Sequence, residues 1–348
     1  MKNYLVFIAL ICFAGSAIAA RQTSSTPWDR SSAMAAARSV NIDIEIYEIR
    51  NVSSLSDGEA TVKRLKQIET RSDWPMPARE AALYKFTRSL RELPRAAVAA
   101  EVMVHLHNYQ PQTLVPHEDH GNTLVPLFNI RGAAAGIENG WQRMESAADA
   151  VVLLEANPDE LVSEYIKTTN SNRRAGYLDS LGQANMADVE DVQAAILEKL
   201  DQAPELTPMM GVTAVRTLDM FAIEQLLING HGAGLSSTLK QLDQQLQRSE
   251  TAALLIFAVQ QAPAQNASLA IAAWWPRLKH EAAIRDLLVE KLADPALGGA
   301  AALALAQSPD IQTIKILQDT ANGETLEARR AQMALDINRD RLAGEVQQ

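Results

Sequence analysis

Sulfur chemistry is nearly closed to this chain. Of 348 residues only Cys12 is a cysteine, which excludes an intramolecular disulfide, a zinc ribbon and a dithiol redox pair. Basic residues are outnumbered: 32 Lys and Arg stand against 42 Asp and Glu. Phosphate backbones and anionic membrane surfaces are held through Lys and Arg, so neither is an expected partner. No apolar run after residue 20 reaches the ~20 residues a bilayer-spanning helix needs. There is no Gly-x-Ser-x-Gly nucleophile motif, and no hairpin signal stands out.

The N-terminus reads as a leader. Met1-Lys2-Asn3 is short and positive, Tyr4 to Phe13 is apolar, and Gly15-Ser16 precede Ala17-Ile18-Ala19. That small-x-small pattern is what signal peptidase reads. Residues 1–19 are therefore expected to be a signal peptide, cleaved before or just after Ala20. The expected destination is the periplasm or the outside of the cell. Leu10, Ile11 and Phe13 around Cys12 are too bulky for a lipid-attachment box. Cys12 leaves with the leader, so thiol nucleophiles are excluded from the mature chain.

What remains is dense in helix signals. Residues 21–32 are polar and rich in Ser and Thr, expected as a loose tail within an N-terminal stretch, 20–55. Residues 41–50 fit both periods, with helix favoured because a lone strand lacks a partner. Ser56 and Glu59 form a capping-box pattern ahead of Val62, Leu65 and Ile68. Pro77 stands where a first helical residue belongs, before Leu83, Phe86, Leu90 and Leu93. Pro94 opens a stripe of Val98, Val102 and Leu106; further stripes are Leu127-Ile130-Ala134-Ile137 and Met144-Ala148-Val151-Leu154. Leu235, Leu239, Leu242 and Leu246 form the cleanest stripe. Gly230-His231-Gly232-Ala233-Gly234 precedes it without a strand before or a Lys after. It is therefore expected as a hinge between helical regions 56–229 and 235–348, not a phosphate loop.

The last third carries a repeat. A helix over 281–293 is followed by Asp294-Pro295 and an Ala/Leu helix over 296–307. Ser308-Pro309-Asp310 then leads to a helix over 311–321, and Thr325 caps a last one over 326–337. Corresponding starts are 28 residues apart (281 and 309) and 29 apart (296 and 325). Equal offsets imply a repeated helix pair. Asp294-Pro295-Ala296-Leu297, the Ala300–Leu305 run and Ser308-Pro309-Asp310 resemble the helical-hairpin repeats of the HEAT-like class. Arg329-Arg330 falls near the basic position of such repeats. The resemblance implies an all-α fold of antiparallel helix pairs stacked as an α-solenoid, used as a binding surface. An irregular all-α globule is the alternative.

Chemistry-bearing residues concentrate in one place. His105, His107, His117 and His120 fall within sixteen residues, the last two between copies of Thr-Leu-Val-Pro at 113–116 and 123–126. Pro111, Pro116 and Pro126 forbid a continuous helix, so 109–126 is expected as a non-helical loop. His107, His117, Asp119 and His120 supply the ligand types that zinc takes, and form the candidate metal set. Against it, His105 and His107 point to different faces of a helix. His280-Glu281-Ala282-Ala283-Ile284 lacks the second His of a helical zinc protease. Trp274-Trp275 could stack on a sugar or an aromatic ligand, but packing is the favoured reading; about 100° apart on a helix, one is expected in the core and one near the surface, with Pro276 ending the helix. The expected function is an exported binding or scaffold protein with a protein partner and no cofactor. The alternatives are a zinc-binding protein or zinc enzyme using residues 105–120, and a chaperone or inhibitor of a co-exported enzyme.

Overall fold

The computed structural model describes residues 27–345, apart from 53–54, 121–122 and 309. The leader, its cleavage site and Pro309 lie outside the described residues. The described residues form eighteen α-helices, a few single turns of 3-10 helix and one two-stranded ribbon. The protein is all-helical, built of packed helix pairs. None of the described helices is long and apolar enough to cross a membrane. The chain divides into two compact units at Glu138/Asn139, within one helix.

The first unit contains α1 (Arg30–Arg38), α2 (Asp43–Val52), α3 (Gly58–Glu69), α4 (Met76–Ser89) and α5 (Ala100–Asn108). Strands β1 (Leu114–Pro116) and β2 (Leu124–Pro126) follow, and then α6 (Ile130–Ala156), of which this unit holds the part up to Glu138. The polar stretch is shorter than expected, because Asp29 accepts from Ser32 N at 2.9 Å and starts α1. Residues 43–52 are helical, as the absence of a partner strand demanded. α3 is capped by Asp57, which accepts from Ala60 N at 3.0 Å, one residue past the expected cap at Ser56. α4 is the hub: α1, α2 and α3 all pack on it. Ala33 and Ala37 of α1 and Ala78 and Ala82 of α4 are buried, and such small side chains let helices approach closely. Leu83, Phe86 and Leu90 have no exposed surface, as their spacing predicts.

The second unit runs through α7 (Pro158–Lys167), α8 (Ser171–Gln183), α9 (Met186–Leu197), α10 (Thr207–Thr217), α11 (Met220–Asn229) and α12 (Gly232–Gln245). It continues through α13 (Arg248–Gln261), α14 (Ala264–Leu278), α15 (Ala282–Glu290), α16 (Gly298–Leu305), α17 (Ile311–Thr320) and α18 (Leu326–Glu345). Its contacts are systematic. α8, α10, α12, α14, α16 and α18 each pack on the next of that set; α7, α9, α11, α13 and α15 do likewise. The N-caps of α7, α9, α11, α13, α15 and α17 fall at 157, 185, 219, 247, 281 and 310, intervals of 28, 34, 28, 34 and 29 residues. Intervals of 28–29 residues, as near the C-terminus, recur along the unit and alternate with intervals of 34.

Side chains staple one helix pair to the next. The last carbonyls of a helix lack intrahelical donors and need other partners. Arg216 of α10 donates to Leu181 O, Gly182 O and Ala184 O at the end of α8. Arg277 of α14 donates to Asp243 O and Leu246 O at the end of α12. Buried Asn266 donates to Leu227 O and Gly230 O at the end of α11, and buried Asn338 donates to Ala306 O and Ser308 O after α16. Arg330 donates to Leu292 O, Asp294 O and Pro295 O, crossing over Gly298, where a Cβ would lie 2.0 Å from its Nη1.

Three local expectations are corrected. Trp274 and Trp275 are both buried, and α14 continues through Pro276 to Leu278. A helix packed on several sides has two apolar faces, so 100° of separation does not expose a residue. On α6 Ile130, Ala134 and Ile137 are buried as their spacing predicts; further along, Trp141, Ser146, Ala150 and Leu154 are buried, while Met144, Ala148 and Val151 are exposed. The glycine-rich segment at 230–234 joins α11 to α12 inside the second unit. Only its first glycine is packed tightly: a Cβ on Gly230 would lie 2.4 Å from Leu226 O, whereas His231, Gly232 and Ala233 are exposed.

Candidate functional site

The loop at 109–126 is held by one buried carboxylate. Glu80 of α4 has no exposed surface. Its Oε1 accepts from Tyr109 Oη at 3.0 Å and from Gln112 N at 2.6 Å; its Oε2 accepts from Thr113 N at 3.1 Å. Burial first, and then the adjacent Glu80 charge, push the Tyr109 hydroxyl far above its usual pKa, so it remains a donor. Trp28 N donates to Leu114 O, and Leu127 N to Thr113 O, which closes both ends of the loop.

The expected non-helical loop is an antiparallel hairpin. Leu114 pairs with Pro126, Val115 with Val125 and Pro116 with Leu124, so the two Leu-Val-Pro copies are its arms. Proline is tolerated because a two-stranded ribbon has only edge strands. Val115 is fully buried beneath it. The repeat of Thr-Leu-Val-Pro was the available clue.

The hairpin brings His117, Asp119 and His120 together, while His107 is engaged elsewhere. His117 and His120 stack with ring centroids 5.3 Å apart, and Asp119 N donates to His117 Nδ1 at 3.1 Å. His107 pairs through Nε2 with Glu138 Oε2 at 2.8 Å, and His105 through Nε2 with Glu69 Oε1 at 2.6 Å. Two residues apart near the end of α5, they reach opposite neighbours, α6 and α3, as helical geometry requires. Among the described residues no three His, Cys, Asp or Glu side chains converge as a metal site.

A furrow of about 1060 Å³ lies between α3 and α5. Its walls follow helical periodicity. α3 contributes Glu59, Val62, Lys63, Lys66, Gln67 and Thr70; α5 contributes Ala100, Glu101, Val104, His105 and Asn108. Val104 is 59 % exposed, while Val98, Val102 and Leu106 of the expected stripe are buried. Val104 is thus an apolar residue out of phase with its own helix's core face, and that phase error is the furrow's signal in the sequence. Two further hollows of about 680 Å³ each flank α4. In one of them the charges are mutually satisfied, Lys85 by Asp43 and Arg50 by Glu92. No family model, curated protein or solved structure matches the chain.

Proposed function

We propose that this chain is an exported scaffold that acts by binding another protein in the cell envelope, its helices stacked as an α-solenoid of the HEAT-like kind. The observation that carries the reading is the next-but-one packing of the second unit, in which two alternating sets of helices each contact their own successors. Such nearest-neighbour stacking is how repeat proteins build long binding surfaces. The alternating cap intervals and the Arg and Asn staples support the same reading. Exposed apolar side chains are available for contact, among them Phe221 at 57 % and Met144 and Val152 on α6.

Photoreactive residues placed singly at Val104, Val152 and Phe221, in cells that produce the full chain, test binding. The expected result is one defined adduct at one face, abolished by an Asp substitution one helical turn away. Absence of an adduct at every position refutes it. Export is tested separately by the mass of the mature protein, expected to begin at Ala20 or Arg21; an intact Met1 refutes it.

A further inference from the structure

We propose that the furrow between α3 and α5 receives a single amphipathic helix of a partner protein, antiparallel to both walls. Its first turn carries acidic residues and its last turn basic ones. The proposal rests on the binding function above and names the class of partner.

The direction follows from the walls. At one end Gly58 of α3 abuts Ala99 and Glu101 of α5; at the other, Glu69 of α3 meets His105. The two helices therefore run in the same direction, with both N-termini at the Glu59/Glu101 end. A helix laid between them is favoured antiparallel, its own C-terminus beside those two acids, because macrodipoles then oppose. Ridges and grooves of paired helices suit a third helix geometrically.

The charges select the same orientation. Elsewhere in this unit Arg30, Arg50, Arg64, Arg71 and Lys85 are each ion-paired. Around the furrow His105 is paired with Glu69, whereas Glu59, Lys63, Lys66 and Glu101 form no ion pair with any described residue, although Glu59 and Lys63 are one turn apart. Glu59 and Lys66 are separated by roughly 10 Å along α3, two helical turns. A partner helix antiparallel to α3 meets Lys66 and Lys63 with its first turns and the two acids with its last. Acids at an N-terminus and bases at a C-terminus are also what stabilises that helix itself. Between the charged ends Val62 and Val104 offer an apolar seat.

The test uses the purified full chain and two synthetic amphipathic helices of about sixteen residues, long enough to hold helical structure. One is acidic at the start and basic at the end; the other has those charges exchanged. Fluorescence anisotropy is expected to show the first bound about tenfold more tightly, the sum of several exposed ion pairs. Lys63→Glu with Lys66→Glu is expected to cancel or invert that order, and Val104→Asp to weaken both peptides about tenfold. All three residues are exposed, so folding is not at stake. Equal affinity for the two peptides, failure of both to bind, or an order unchanged in the Lys63→Glu/Lys66→Glu chain overturns the proposal. Self-association that Val104→Asp abolishes overturns it in favour of a second copy. An adduct captured at Val152 or Phe221, with no peptide seated at Val104, sinks the furrow and leaves the binding function standing.

Discussion

Replacing Glu80 by alanine strips the hairpin of its anchor. Three donors lose their acceptor: Tyr109 Oη, Gln112 N and Thr113 N. Gln112 is exposed and its amide regains water, whereas Tyr109 and Thr113 are buried. A hydrogen bond to a charged acceptor contributes ~1.5–3 kcal/mol, and an unpaired buried donor costs ~1–3 kcal/mol. Glu80→Ala is therefore expected to destabilise the first unit by about 3–5 kcal/mol. Glu80→Gln keeps the shape and one acceptor oxygen, which can serve Tyr109 and Gln112. It then turns an NH2 group toward Thr113 N–H, donor against donor, for a loss of about 1–2 kcal/mol. Tyr109→Phe removes one donor and leaves a satisfied carboxylate, costing about 1 kcal/mol. Urea unfolding gives the order Ala, Gln, Phe, and hydrogen exchange at Thr113 N shows the local opening. If Glu80→Ala lies within 1 kcal/mol of the parent, or if Thr113 N stays protected, the account of Glu80 as the hairpin's anchor is wrong.

The two tryptophans of α14 should respond differently to Phe. Trp274 Nε1 donates to Leu239 O at 3.0 Å, whereas Trp275 Nε1 is buried with no hydrogen-bond partner among the described residues. Trp274→Phe is expected to cost about 1–2 kcal/mol more than Trp275→Phe in thermal unfolding; equal losses refute the distinction. Gly298→Ala is expected to destabilise by about 1–3 kcal/mol, because its Cβ would meet Arg330 Nη1 and Leu292 O. A double substitution with Arg330→Ala should cost less than the sum of the two singles, and additive losses would show that they do not interact. At low pH, Asp294 and Asp310 matter. Backbone N–H donors, Leu297 for the first and Gln312 for the second, hold their carboxyls below the usual 3.8. A depressed folded pKa gives stability that is present above the unfolded value and lost as pH falls through the folded one. Unfolding followed from pH 6 to pH 2 should show this acid loss reduced in Asp294→Asn and Asp310→Asn, which keep the cap acceptor; unchanged acid loss refutes it. At the alkaline end the sign reverses. The Tyr109 hydroxyl is raised, so its contribution is intact below about pH 10, where the unfolded tyrosine ionises, and declines above it. Tyr109→Phe should flatten that decline.

Much of the local structure was legible because helix periodicity needs no knowledge of neighbours. Leu235, Leu239, Leu242 and Leu246 read as one buried face and are one. Thr325 reads as a cap and accepts from Ala328 N at 3.1 Å. The misreadings occur where a neighbour decides. Met144 and Val151 share a periodic stripe with Leu154, but packing buries Leu154 and leaves the other two outside. Arg330 fell at a basic position whose use no spacing reveals; its task depends on three carbonyls of residues 292–295 arriving beside it.

By itself the sequence determined an all-helical chain without thiols after residue 12, with repeated helix pairs near its end and one proline-broken histidine segment. Those are matters of composition, phase and local backbone chemistry, all written within a few turns of each residue. Tertiary structure alone decided where the histidines reach, that Glu80 carries the hairpin, and that α3 and α5 leave a furrow with unpaired charges. Each of these joins residues brought together only by folding: Glu80 to Thr113, His107 to Glu138, Val62 to Val104. One-dimensional periodicity states which face a helix buries, but not what lies opposite it.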